Sequence, residues 1–176
     1  FNLPGIDKVV NLFEFPWPFA DDAFDVIWAA HILEHVPHEV HIAYSTLGSF
    51  QATDYPRLCH EYDGFFVFMS ECWRILKPDG LIYIRAPYAA SYPSLSDPTH
   101  TRYLTPGSFG YLKPSEDGTP FDYHVPCHFE MAEPFMLRFR GEWARTMDHY
   151  TAKGLEELMR RYNDVADEFR ITLRAV

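Results

Sequence analysis

Closely spaced glycines, paired cysteines and basic clusters are all missing from this chain, and each absence excludes something. Nine glycines are scattered over 176 residues and nowhere form a Gly-x-Gly pair. A glycine cradle, which lets backbone approach a nucleotide-like ligand closely, is therefore absent from these residues. Cys59, Cys72 and Cys127 are odd in number and lack Cys-x-x-Cys spacing. They predict reduced, mostly buried thiols, with neither a disulfide framework nor a cysteine-based zinc site. Fifteen basic residues stand against twenty-five acidic ones, a net charge of −10 with no Lys/Arg cluster. Such a charge repels phosphate backbones and argues against a nucleic-acid partner. Long apolar runs are also lacking, since windows such as Phe65 to Met69 fall far short of the ~20 residues of a membrane span. No charged-then-apolar leader is present. The expectation is a soluble, cytoplasmic protein without a membrane partner, and a first residue of Phe1 in place of Met fits a processed or partial chain.

What is present is the material of a packed core. Hydrophobic residues make up 47% of the chain and aromatics 17%, with no repeat or low-complexity run. A chain of this length buries roughly 70% of the surface its unfolded form exposes, so residues 1–176 are read as one domain. Trp17, Trp28, Trp73, Phe65, Phe66 and Phe68 admit the reading of an aromatic substrate cage, but core packing accounts for nearly all of them better, because aromatics dominate buried area.

Asp7 to Leu12 is a β-favouring run, stopped by Phe15-Pro16-Trp17-Pro18-Phe19, where two prolines forbid a helix or ladder. Asp25 to Ala30 is nearly all apolar, the pattern of a strand covered on both faces in a parallel sheet. A turn and short helix, His31 to Pro37, follow it. Phe65 to Leu76 is apolar all round except for a narrow stripe of Ser70, Glu71 and Arg74, which predicts a mostly buried helix. Lys77-Pro78-Asp79-Gly80 ends it, and Leu81 to Ala86 is the next strand, completing a strand–helix–strand crossover. Residues 91–126 are rich in Pro, Gly, Ser and Asp and predict a long covering or substrate loop with at most one short helix near Ser108. Alternation at Phe135, Leu137 and Phe139, and again at Ile171, Leu173 and Ala175, predicts an antiparallel strand pair. The helical spacing of Leu155, Leu158, Met159, Tyr162, Val165 and Phe169 fills the interval between them.

Three strings in order, Pro18 to Ile27, Leu33-Glu34-His35-Val36 and Glu71 to Gly80, resemble the later half of a class I S-adenosylmethionine-dependent methyltransferase. The resemblance is clearest over residues 7–110. It implies an α/β, Rossmann-like sheet, mostly parallel with a C-terminal antiparallel hairpin and truncated at its N-terminal side. In that family the glycine-rich turn and the ribose-binding acid precede the part seen here. It implies S-adenosylmethionine as cofactor if the site is complete, and a small-molecule or peptide-group acceptor. Asn11 and Leu12 would lie against the adenine, and Ala29, Ala30 and His31 near the methionine part. The alternative reading is a non-catalytic structural or interaction subunit on the same scaffold. Its open sheet edge would be covered by a second copy or a partner chain.

On the acceptor side, Tyr88 and the string Asp97 to Tyr103 follow the third strand. His100 is the candidate base, and Asp97 and Arg102 are candidate substrate contacts. The competing reading is a network that staples the loop. His31, His35 and His38 have the spacing of one helical face, with His41 beyond, but Pro37 interrupts the helix. No metal is assigned to them, nor to His124, Cys127 and His128.

Overall fold

The computed structural model describes residues 7–42, 63–113, 127–146 and 151–176; Cys59, His124 and residues 114–126 of the expected covering loop lie outside them. The central sheet is built from β2 (Phe24–Ala30), β4 (Leu76–Pro87), β5 (Phe129–Met131), β6 (Met136–Phe139) and β7 (Ala166–Ala175). The strand order is β2-β4-β7-β5, with β6 also on β7, and a separate parallel pair joins β1 (Glu14–Phe15) to β3 (His41–Ile42). β2 and β4 run parallel, from Val26 opposite Leu81 to Ala30 opposite Arg85. β7 then turns the sheet antiparallel, with Leu81 opposite Arg174 and Pro87 opposite Glu168. The Rossmann-like mixed sheet, parallel first and antiparallel at its C-terminal side, is the one the sequence predicts.

Helix α1 (Gly64–Ile75) lies between β2 and β4 in the chain. The Asp63 side chain accepts from the Phe65 N–H and caps its first turn. Its apolar residues Phe68, Met69 and Cys72 share a core with Ile82 and Ile84 of β4 and Phe169, Ile171 and Leu173 of β7. The polar stripe of this helix is buried as well. Ser70, Glu71 and Arg74 are 5%, 1% and 7% exposed; the segment 15–21 packs over Glu71 and Arg74, while the Ser70 hydroxyl donates to Phe66 O. Trp17 of that segment meets Phe68 edge to face at 5.1 Å. No described helix is long and apolar enough to cross a membrane.

Several elements differ from expectation. Residues 7–12 are not a strand: Asn11 Oδ1 accepts from the Phe13 N–H at 3.1 Å and its carbonyl from Glu14 at 3.3 Å, so the asparagine makes a turn and the ladder begins only at Glu14. Of the 91–126 stretch, 92–96 forms helix α2 (Tyr92–Ser96), because the Ser91 hydroxyl caps the Ser94 N–H. A 3₁₀ segment, Pro106–Leu112, accounts for the short helix expected near Ser108. After α3 (Gly141–Thr146), helix α4 (Ala152–Arg161) is shorter than its apolar spacing suggested. Asp164, at φ 63°, breaks the spacing: its N–H donates to Ala90 O and its carboxylate accepts from the Tyr92 N–H. Val165 lies beyond the helix and Phe169 within β7, since a four-residue interval fits a strand face as well as a helix face. Finally, among the described residues β2 is not covered on both sides. Val26 and Trp28 are 51% and 70% exposed, while Ala29, on the opposite face, is buried.

Candidate functional site

Ligands of open parallel sheets gather at the carboxyl ends of the strands, and here the ends of β2 and β4 carry a polar cluster. β2 ends at Ala30, and the His31 N–H donates to Arg85 O at 2.8 Å, prolonging the parallel ladder by one rung. His31 adopts φ 54°, a left-handed backbone that turns the chain sharply off the strand. Its imidazole lies between two buried carboxylates, with Nδ1 3.2 Å from Glu34 Oε1 and Nε2 3.2 Å from Glu168 Oε2. With Nδ1–H donating to Glu34, Nε2 accepts from Arg85 at 3.2 Å. Glu168, 1% exposed, takes its donors from Arg85 at 3.0 Å and Arg170 at 3.2 Å, with Arg138 at 3.6 Å. Three guanidinium groups thus surround one buried carboxylate at the strand ends, the compensation a buried charge requires.

A single 3₁₀ turn, Leu33–His35, follows, and the loop 97–102 is tied down on it. The Thr101 and Arg102 N–H groups both donate to Glu34 O, at 2.8 and 3.1 Å. Arg102, 8% exposed, donates to Val36 O and Pro37 O and pairs with Asp63. His100 Nδ1 donates to Ser94 O at 2.9 Å, and its Nε2 lies 3.7 Å from Asp97 Oδ2. Asp97 accepts from the Thr99 hydroxyl at 2.6 Å and from its N–H at 2.8 Å. The hydroxyl bond, more than any other contact, holds the Asp97 carboxyl below the usual carboxylate range.

The structure therefore brings Asp97, His100 and Arg102 together with the turn after β2, and brings His31 to Arg85 and Glu168. Tyr88 is half-buried just past β4; its N–H donates to Asp167 O at 2.9 Å, and burial raises its phenol above the ordinary value. Ala29 is buried and Ala30 half-buried at the strand end. Asn11 and Leu12 form hydrogen bonds within their own segment, Leu12 O accepting from the Trp17 indole at 3.3 Å. His31, His35 and His38 do not share one face. The helix is only one turn long, and His38 pairs with Asp63 at 2.5 Å, while His35 packs on His100 with ring centres 4.8 Å apart. Arg85 and Glu168 were not among the residues singled out. Their sequence signal is weak: a lone arginine in the apolar run 81–86 demands a counter-charge, but nothing local names it.

No protein-family model and no curated protein sequence matches the chain. Among solved structures it is similar to a SAM-dependent methyltransferase from Archaeoglobus fulgidus, at 16% identity and TM-score 0.44, over 89% of this chain and 61% of that one. It is also similar to the SpnF cyclase, at 14% identity and TM-score 0.47, over 95% and 54% of the two chains. The YcgJ protein from Bacillus subtilis aligns at 11% identity and TM-score 0.46, over 91% and 67%. The chain spans 54%, 61% and 67% of the lengths of these three proteins, and the likeness is one of fold alone.

Proposed function

We propose that this chain carries the acceptor side and one cofactor wall of a class I S-adenosylmethionine-dependent methyltransferase acting on a small-molecule or peptide-group acceptor. The observation that carries the reading is the gathering of His31, Arg85, Glu168 and the 97–102 loop at the carboxyl ends of two parallel strands, in a sheet that turns antiparallel at β7. The residues present fit the cofactor in part. Ala29 and Ala30 are small enough for close approach, and Asn11 Oδ1 keeps a second lone pair for an exocyclic amine. No glycine pair approaches a carboxylate or ribose, so affinity for the cofactor by this chain alone should be weak.

When bound, S-adenosylmethionine supplies an electrophilic methyl group, and what remains for the protein is to position the acceptor and remove its proton. His100 suits the second task. Its Nδ1–H is committed to Ser94 O, which leaves a lone pair on Nε2. Tyr88, Asp97 and Arg102 form the acceptor side in this reading, Arg102 by shaping the loop through its backbone contacts.

Calorimetric titration with S-adenosylmethionine and S-adenosylhomocysteine tests the reading. Heat or a thermal shift at millimolar ligand is expected, and the absence of both would sink the reading for this form of the chain. A second reading, a non-catalytic scaffold whose partner or second copy covers the sheet, is favoured by the exposed Val26 and Trp28 on β2, the last strand of the sheet among the described residues. A dimer mass in light scattering that falls on Trp28→Lys would support it.

A further inference from the structure

Glu34, His35 and His100 each place one potential ligand atom within 4.8 Å of the other two, where the turn after β2 meets a loop 65 residues further along the chain. Their hydrogen bonds show which atoms are free. His100 Nδ1 faces the carbonyl of Ser94, which can only accept, so the proton sits on Nδ1 and Nε2 presents its lone pair. His35 Nδ1 faces Thr99 O at 3.4 Å and Thr99 Oγ1 at 3.1 Å. That hydroxyl gives its own proton to Asp97 and so accepts from His35, which again leaves Nε2 bare. Ligating histidines are held in this way, with the other ring nitrogen donating to a carbonyl or polar oxygen.

The third member supplies the independent sign. Glu34 is 2% exposed, and although Oε1 meets His31, Oε2 is buried without a hydrogen-bond partner among the described residues. An unpaired buried carboxylate oxygen is costly, and a bound cation is the partner that would remove the cost. The geometry points to a metal site: Glu34, through its carboxylate, and His35 and His100, through Nε2, bind one divalent first-row metal ion of the zinc and cobalt type. Two imidazoles and a carboxylate suit such ions, whereas calcium and magnesium prefer all-oxygen shells. Asp97 Oδ2, 3.7 Å from His100 Nε2 and half exposed, is next in reach on the solvent side, where a water or an exchangeable ligand would complete four-coordination. Tetrahedral zinc needs donors about 3.3 Å apart, so loading closes the separations, all within 4.8 Å, by at most about 1.5 Å. The Thr101 and Arg102 N–H bonds to Glu34 O tie the two backbone segments together, so in this proposal the closure falls on the side chains. The site shares His100 and Asp97 with the acceptor side of the methyltransferase reading, but does not depend on that reading. In the loaded protein His100 is a ligand, and its role as base belongs to the metal-free chain.

The test uses the whole chain, stripped with a chelator and titrated with zinc chloride by calorimetry and with cobalt chloride by visible absorption near neutral pH. One equivalent should bind, with the d–d bands of a four- or five-coordinate cobalt ion. H35A and H100A should each weaken binding on the order of 100-fold or more, at least the loss seen when a supporting residue is removed. H38A, which alters an exposed histidine paired with Asp63, should bind as the parent does. As a readout that survives a misfolded variant, imidazole nitrogen shifts of the parent protein should move at Nε2 of two histidines on adding zinc. No binding at submillimolar zinc, unchanged affinity in H35A and H100A, or an equal loss in H38A overturns the site.

Discussion

The Glu71 carboxylate and the Arg74 guanidinium, one turn apart on α1, form a two-pronged pair inside the protein, at 2.7 Å between Oε1 and Nε and 2.9 Å between Oε2 and Nη2. The remaining arginine protons go to Phe19 O, Asp21 and Trp17 O, and Glu71 Oε2 accepts from the Trp17 N–H at 2.8 Å. All five guanidinium N–H groups are used. The pair thereby fastens the proline-rich segment to the helix that backs the sheet.

Removing one partner leaves a buried charge uncompensated. Arg74→Met should therefore cost about 3–5 kcal/mol in urea unfolding, while the double variant Arg74→Met with Glu71→Leu should recover part of it. An undiminished midpoint in the single variant would show that the 15–21 segment is held by its aromatics alone.

Gly64 opens α1 against the preceding turn. A Cβ there would lie 2.2 Å from Pro37 O and 2.7 Å from Val40 Cγ1. Gly64→Ala should destabilise by about 1–3 kcal/mol through overpacking, outweighing the better helix propensity of alanine. A thermal melt that rises instead would mean that residues 37–40 yield without cost.

Asp63 caps α1 and also faces Arg102 and His38. Burial pushes its carboxyl up, but the Arg102 hydrogen bond, the Phe65 N–H, His38 and the Arg102 charge together bring it below 3.8. A depressed carboxyl contributes stability that is present above its unfolded value and lost as pH falls through the folded one. Asp63→Asn should lower stability near neutral pH and flatten the acid limb below about pH 4. Parallel acid limbs for the two proteins would contradict this coupling.

The thiols behave oppositely. Burial raises Cys127 from 9.0 to about 12, and burial first, then the Glu71 charge, raises Cys72 well above its usual value. Both stay protonated in the native state after the unfolded thiols ionise. Their contribution is complete below pH 9 and is lost as pH climbs toward about 12. Alkylation mapped by mass spectrometry at mildly alkaline pH should leave Cys72 and Cys127 unlabelled until denaturant is added.

The elements that were legible in the sequence are those whose apolar pattern admits one reading. The run 25–30, the helix that ends at Lys77-Pro78-Asp79-Gly80 and the strand before Pro87 all stand within a residue or so of expectation, apart from the strand pairing that reaches back to Leu76. Val165 and Phe169 were ambiguous because strand and helix faces share a four-residue spacing, and Asp164 settled the matter through contacts with residues 90 and 92. Of the candidate site, the loop 97–102 and the turn after β2 were each visible, but their meeting was not.

Composition, period and breaker residues thus determined locally which segments are helix or strand, since those choices depend on neighbours within one or two turns. Which polar residues are buried, which strand face stays open and which histidines meet were decided only in the tertiary structure. Glu71 finds Trp17, Glu168 finds Arg85 and His35 finds His100 across tens of residues. Charge and lone-pair complementarity act through space, and no short-range pattern encodes a partner that distant.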